Sequence, residues 1–318
     1  MKNKVLPVVL VVLFALSLIS AVYIVLNNRI VKTDGRLSLS RLFKKKSLKQ
    51  NGVGIVYILG PKYHGSKSPL FSGGRSPDHI IKRLRRLRKR KDVKAIILRI
   101  NSPGGSVASV QEIYQEIMAI RKEKKIIVAS MGDVAASGGY YVAAAADKIV
   151  ANPGTLTGSI GVIMEMGNFQ ELFKKIGVKL EVIKSGKYKD SGSPHRSLTQ
   201  EERKIFQGVI NDAYDQFVRA IMDGRNMDKK KVLSFANGRI FTGRQAFERG
   251  LVDKLGTKQD AVMFAAKLAG IEGEPRIVEE SEPWAHFLTF IENIMPSFPL
   301  SYRELREQNR IRLDYILE

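Results

Sequence analysis

Three short loops hold the residue types that can do chemistry. The first, Asn101-Ser102-Pro103-Gly104-Gly105, follows the apolar run 95–100 and precedes a helical pattern. Glycines that open a helix leave unpaired N–H groups pointing at one spot, which suits an oxyanion or a phosphate, although an ordinary Pro-Gly turn would look the same. The second, Met131-Gly132-Asp133-Val134-Ala135-Ala136-Ser137-Gly138-Gly139-Tyr140-Tyr141, sets Ser137 among residues too small to hide its hydroxyl. That is a position for a nucleophile, or for a helix cap. The third, Ser185-Gly186-Lys187-Tyr188-Lys189-Asp190, carries two lysines. A serine nucleophile needs a base. Of the histidines, His64 and His79 come early, His286 comes late, and only His195 falls near these loops. A lysine held neutral can serve instead.

These loops must be held by the elements between them. Residues 54–59 and 95–100 read as strands, and 77–91 as a helix with Ile80, Leu84 and Leu87 at helical spacing. The alternation continues with helix 107–121, strand 126–129, small-residue helix 139–146, strand 148–151, helix 169–176 and strand 179–183. Such a pattern predicts an α/β fold with parallel strands. A long amphipathic helix follows at 198–225, with Phe206, Ile210, Tyr214, Phe217 and Ile221 on one face.

Composition narrows the classes further. With no cysteine in 318 residues, disulfide scaffolds, thiol enzymes, iron–sulfur proteins and Cys-ligated zinc folds are excluded. The net charge of +22 is uneven: residues 28–100 carry 21 Lys/Arg against 3 Asp/Glu. This excess follows residues 5–26, which hold no charge and as a helix would span about 33 Å, enough to cross a bilayer. An uncleaved single-pass anchor fits better than a cleaved leader, whose apolar core is shorter and ends in a small-x-small site. Basic residues flank the span on both sides, so the positive-inside rule favours a cytoplasmic body without fixing the side. The basic stretch 80–91 is a charged solvent face or a dock for anionic lipid. No nucleic-acid motif accompanies it, and no metal constellation or nucleotide fingerprint is present, so no metal and no cofactor are expected.

Taken in order, NSPGG, MGDVAASGGYY, LTGSIGVIM (156–164), IKSGKYKD and GRIFTGRQAFERGLVDKLG (238–256) resemble the signal peptide peptidase A family, also called protease IV, in its short form. The resemblance covers about residues 52–268. It implies a Clp-protease/crotonase-like spiral of strand–helix repeats behind an N-terminal transmembrane helix, and a membrane-anchored serine endopeptidase that degrades signal peptides. It also implies Ser137 as nucleophile, Lys189 as general base and Ser159 as the residue orienting that lysine. Gly105 and Gly138 would donate to the oxyanion.

The expected organisation is an anchor at 1–27, a basic linker at 28–50, a peptidase S49-type domain at 51–270 and an amphipathic tail at 271–318, its last part (301–318) charged and loosely ordered. The Clp-type histidine base is missing, since its window reads Ser159-Ile160-Gly161-Val162-Ile163-Met164. Two rivals from other classes are an acyl-CoA enzyme of the crotonase fold and a membrane-tethered scaffold without catalysis. Expected partners are peptide substrates, an anionic membrane surface and further copies of the chain, with the dyad formed inside one subunit or shared between two; nucleic acid is not expected.

Overall fold

The computed structural model describes residues 16–17, 51–61, 76–279 and 314–317. The chain divides into two compact units, 1–48 and 49–318, and everything below concerns the second. Strand β1 (Gly52–Leu59) leads to helix α1 (Pro77–Lys89), then β2 (Val93–Ser102), β3 (Gly104–Ser106), α2 (Val107–Lys122), β4 (Ile126–Ala136) and α3 (Gly138–Ala144). After these come β5 (Lys148–Ala151), β6 (Leu156–Gly158), α4 (Gln170–Lys175) and the long α5 (Gln200–Arg225). The order closes with α6 (Lys229–Leu233), β7 (Ile240–Thr242), α7 (Gly243–Glu248), β8 (Lys254–Leu255), α8 (Lys258–Leu268), β9 (Arg276–Glu279) and β10 (Asp314–Ile316).

The main sheet runs β7-β6-β4-β2-β1-β9, with β5 between β4 and β8, and every pairing in it is parallel except β6 with β7. Parallel strands covered on both faces read as apolar runs, as in the AIIL of β2, where residues 95–98 are all buried. Their alternate side chains feed two cores. Ile96, Leu98 and Ile100 meet α1, α2 and α3, whereas Ala95 and Ile97 join Val53, Ile55 and Val128 against Ala261, Val262, Ala265 and Ala266 of α8. Helix α1 starts where the sequence says it should: Ser76 caps the His79 N–H and Pro77 fills the first turn, where its missing N–H is harmless.

Strand β4 does two jobs. Its first part pairs with β5 through Val128–Ser130, and its last part pairs with β6 through Val134, Ala135 and Ala136. A register shift after Ile100 lets it change partners, and it delivers Ser137 at the seam.

One predicted element is corrected. Residues 179–183 form no strand, and Ile183 is fully exposed, because an alternating segment becomes a strand only beside an edge that pairs with it, and none pairs with it among the described residues. Val162 packs partly against the core and Ile163 bridges to Asp314, but from 164 to 201 no residue is buried, and this stretch makes an arm. Beyond residue 270, β9 extends the main sheet beside β1, and β10 forms a separate two-stranded sheet with β3. The apolar run 5–26 lies outside the described residues apart from Leu16 and Ser17. Among the described residues, no helix is long and apolar enough to cross a membrane.

Candidate active site

Ser137 directly follows β4 and stands at the position where a residue would cap α3, yet its side chain makes no capping hydrogen bond. Its backbone is in a region that non-glycine residues rarely visit (φ 50°, ψ −117°), held by an N–H bond to the Gly158 carbonyl at 2.8 Å and by the Tyr141 N–H donating to its own carbonyl at 2.9 Å. The Oγ is buried and has no hydrogen-bond partner among the described residues. An unmatched buried hydroxyl is costly and uncommon, and strain together with it marks a residue kept for reaction rather than for packing.

Opposite Ser137 the NSPGG loop becomes strand β3. Gly104 has φ 119°, and a Cβ there would lie 1.8 Å from the Tyr315 carbonyl oxygen and 2.9 Å from the Gly138 nitrogen. A side chain at 104 therefore fails twice, by backbone conformation and by collision. At 138 a Cβ would come within 3.0 Å of both the Gly104 Cα and the Tyr315 oxygen. The glycines thus leave a slot one peptide wide, and the chain's own β10 fills it. Asp314, Tyr315 and Ile316 pair antiparallel with Ser106, Gly105 and Gly104. On the other side, Asp314 and Ile163 exchange both N–H bonds at 3.1 Å. Leu317 donates to the Pro103 carbonyl at 2.9 Å, so antiparallel alternation makes Tyr315 and Gly105 the next bonded pair and turns the Gly105 N–H toward the Tyr315 carbonyl.

The Tyr315 side chain is fully buried in an aromatic cage. Its ring stacks on Tyr141 at 5.2 Å and tilts against Phe217 at 4.7 Å, while its hydroxyl donates to the Ala213 carbonyl at 2.6 Å. Burial raises the phenols here, that of Tyr141 to about 12, so both stay neutral. Sequence reasoning missed Tyr315 altogether. The signal available was a tyrosine followed by two aliphatics, Tyr315-Ile316-Leu317, in a charge-rich tail.

Ser159 follows the carbonyl that holds Ser137, also at positive φ (48°), with its N–H on the Arg239 carbonyl at 2.8 Å. Lys189 is elsewhere. It lies exposed on the arm, its amide bonded to the Gly186 carbonyl at 3.1 Å, and no hydrogen bond joins it to Ser137. The structure thus gathers Gly105, Gly138 and Ser137 at β10, sets Ser159 next to the carbonyl that holds Ser137, and joins Lys189 to none of them by a hydrogen bond. Lys187 is engaged in an ion pair with Glu201 at 2.5 Å, which raises it above the ordinary lysine value. His195 lines a small cavity of the arm with Phe173, Val178 and Leu180.

The arm's own order is polar. Arg196 forks onto Asp190 (Nε–Oδ2 2.9 Å, Nη2–Oδ1 2.8 Å) and onto Glu202 (Nη1–Oε2 2.9 Å, Nη2–Oε1 2.5 Å). These bonds, with Lys184 on Asp190 and the Thr199 N–H and Ser191 hydroxyl on Glu202, hold both carboxyls far below the usual carboxylate range. A carboxylate depressed on folding stabilises above its ordinary value and loses that contribution as pH falls through the folded one. The arm is therefore expected to hold above about pH 5 and to loosen progressively below about pH 4, seen as pepsin nicking within 184–200 before the sheet unfolds. Nicking that begins only with global unfolding would contradict this.

A serine on a strained strand–helix turn, facing a double-glycine strand that holds a peptide, is a peptidase arrangement, and comparison with known proteins places it. The model of peptidase family S49 matches residues 119–272, and the Clp protease model matches 74–158. The chain is 47% identical over 213 residues to a Synechocystis sp. protein that carries a protease name, an overlap of 66% of this chain and 76% of that protein. The chain belongs to peptidase family S49. Further S49 relatives are an Enterococcus faecium protein carrying the name signal peptide peptidase SppA (40% identical, 69% of this chain, 62% of that protein) and Protease 4 of Haemophilus influenzae (34%, 74% and 37%). The chain thus spans less than two thirds of these last two. The S49 assignment makes it a serine protease with a Clp-protease-like α/β fold.

Proposed function

We propose that this S49 protein is a membrane-tethered endopeptidase acting on extended peptides, signal peptides among them, with Ser137 as nucleophile and Lys189 as general base. The observation that carries the reading is β10, a peptide laid between β3 and Ile163 with one carbonyl against Gly105 and Gly138 beside the free Ser137 hydroxyl. Strand addition supplies sequence-tolerant main-chain bonds, and one enclosed side chain supplies selectivity. In the reaction a neutral Lys189 Nζ takes the Ser137 proton as Oγ attacks the carbonyl. The Gly105 and Gly138 N–H groups then hold the oxyanion, and Lys189 returns the proton to the departing amine. Water afterwards frees the acyl group from Ser137. Ser159, next to the carbonyl that fixes Ser137, is suited to orient the Lys189 amine.

Because Lys189 stands off on an arm, we assign it to the Ser137 of a neighbouring copy. The arm exposes Leu172, Ile176, Leu180 and Ile183, and the first half of α5 adds Ile205 and Val209. That apolar surface calls for a partner of its own kind. Residues 5–26 would tether the body at the cell membrane, with the basic linker on an anionic surface. On α1, Arg85 and Arg88 pair with Glu116, and Arg88 also with Glu123, so this helix adds less to such a surface than its sequence promises.

If β10 stands where substrate does, a chain lacking residues 314–318 should react at Ser137 with a fluorophosphonate several-fold faster than the full chain. It should also cleave peptides with tyrosine or phenylalanine before the broken bond at least about tenfold better than alanine counterparts, a difference of about 1.4 kcal/mol from filling the cage. Labelling at the same rate in both chains, with no aromatic preference, would remove the support that β10 gives.

A further inference from the structure

We infer that Arg196 is the positioning residue of the general base: it locks the backbone around Lys189 to the start of α5, and through it to the core. The inference rests on Lys189 being the base.

From 164 to 201 no residue of the arm is buried, so within the chain the hydrophobic effect that fixes the other site residues is missing where Lys189 sits. A general base must stay within hydrogen-bond reach of its proton, and a misplacement of about 1 Å can cost on the order of 10²-fold in rate. Within one chain, something other than packing must hold this loop. The next buried residue after Ile160 is Glu202, a carboxylate only 3% exposed, at the third position of α5. Its Oε2 accepts the Thr199 N–H at 2.9 Å in a capping box, and α5 is anchored further along by Phe217, Val218 and Ile221 in the core. Arg196 spans from Glu202 to Asp190 with two bonds to each carboxylate, and Asp190 is joined to Lys189 by a peptide bond. On the far side of Lys189, Lys184 closes the loop by donating to Asp190 at 2.6 Å and to the Lys187 carbonyl at 3.0 Å. Ser191, one residue past Asp190, donates to Glu202 at 2.7 Å.

The line of constraint therefore runs from the core through α5, Glu202, Arg196 and Asp190 to Lys189. Only a planar, permanently charged fork can satisfy two carboxylates in this way; a lysine is a point charge and cannot. A partly buried ionic bridge is also a poor way merely to stabilise a fold, since apolar residues of similar size commonly do as well or better. Its value lies in fixing one geometry, and that geometry belongs to the loop of Lys189.

The test uses the full-length chain in its native assembly and a fluorogenic peptide with tyrosine before the cleaved bond. Arg196→Ala should lower kcat by about 10²-fold with KM little changed, and Arg196→Lys should fall in between. Guanidinium ion at a sub-denaturing concentration should recover part of the activity of Arg196→Ala and none of that of Lys189→Ala. Asp190→Asn, which keeps the shape and removes the charge, should reproduce the loss with its unfolding transition intact, and it decides the matter if Arg196→Ala fails to fold. A kcat within about threefold of the parent in Asp190→Asn or a folded Arg196→Ala, or a folded Arg196→Ala that guanidinium does not help, overturns the inference. Near-parental activity in Lys189→Ala would instead overturn the assignment of the base, which the same series reads separately.

Discussion

Ser137→Ala is expected to abolish peptide hydrolysis, by at least about 10³-fold in kcat/KM, and Lys189→Ala to lower it by about 10²- to 10⁴-fold, while Lys187→Ala and His195→Ala stay within a few-fold of the parent. The contrast comes from local surroundings. The Ser137 hydroxyl is buried without a partner on a strained turn, facing the Gly105 and Gly138 amides, so its removal takes away the attacking atom and leaves the peptide slot whole. Ser137→Ala also relieves an unmatched buried polar group, so it should be no less stable than the parent even as it loses activity. Lys187 sits in an ion pair with Glu201, and His195 faces an arm cavity, so neither is offered to a neighbour as a free base. Steady-state kinetics on purified variants, with thermal unfolding as the folding control, checks the set. A dead His195→Ala beside an active Lys189→Ala would reassign the base.

What the sequence disclosed follows from how local each signal is. The strands and helices that carry Ser137 and the glycine loop are written in short-range patterns, such as the apolar run of β2, the Ser76–Pro77 start of α1 and the small residues Ala135, Ala136, Gly138 and Gly139 around Ser137. These positions had to be small because backbone passes within van der Waals distance, as the Ser102 carbonyl does 2.5 Å from where a Gly139 side chain would begin. Residues 179–183 misled because alternation states only that a segment can pair, while pairing is settled by whether an edge is present. Tyr315 was hidden for the opposite reason. Its pairing with Gly105 links residues 210 positions apart, and its signature is only three residues long. Arg196 was invisible as well, since a bridge between Asp190 and Glu202 depends on the chain doubling back at residues 191–199.

The second large effect concerns where Lys189 finds its serine. Mixing Ser137→Ala chains with Lys189→Ala chains, each inactive alone, should restore hydrolysis when the two are co-expressed or refolded together. In a closed ring each site would take Ser137 from one chain and Lys189 from the next, so random assembly at equal amounts should leave about one site in four with both parental residues. Activity should therefore climb from near zero to about a quarter of the parent, highest at equal proportions and falling toward either pure variant. The structural reason is that the arm bearing Lys189 is ordered by its own bridge of Asp190, Arg196 and Glu202 but has no fully buried residue from 164 to 201, which is how a segment looks when its packing partner is another molecule. Its exposed Leu172, Ile176, Leu180 and Ile183 lie on that same segment. Contact through two different surfaces is heterologous, and such contacts either close into rings or extend without end; the tether proposed for residues 5–26 would favour closure. Restored hydrolysis at an intermediate ratio would establish the shared dyad. Verified mixed assemblies that remain inactive at every ratio would place the dyad within one chain and require the arm to fold back onto its own Ser137.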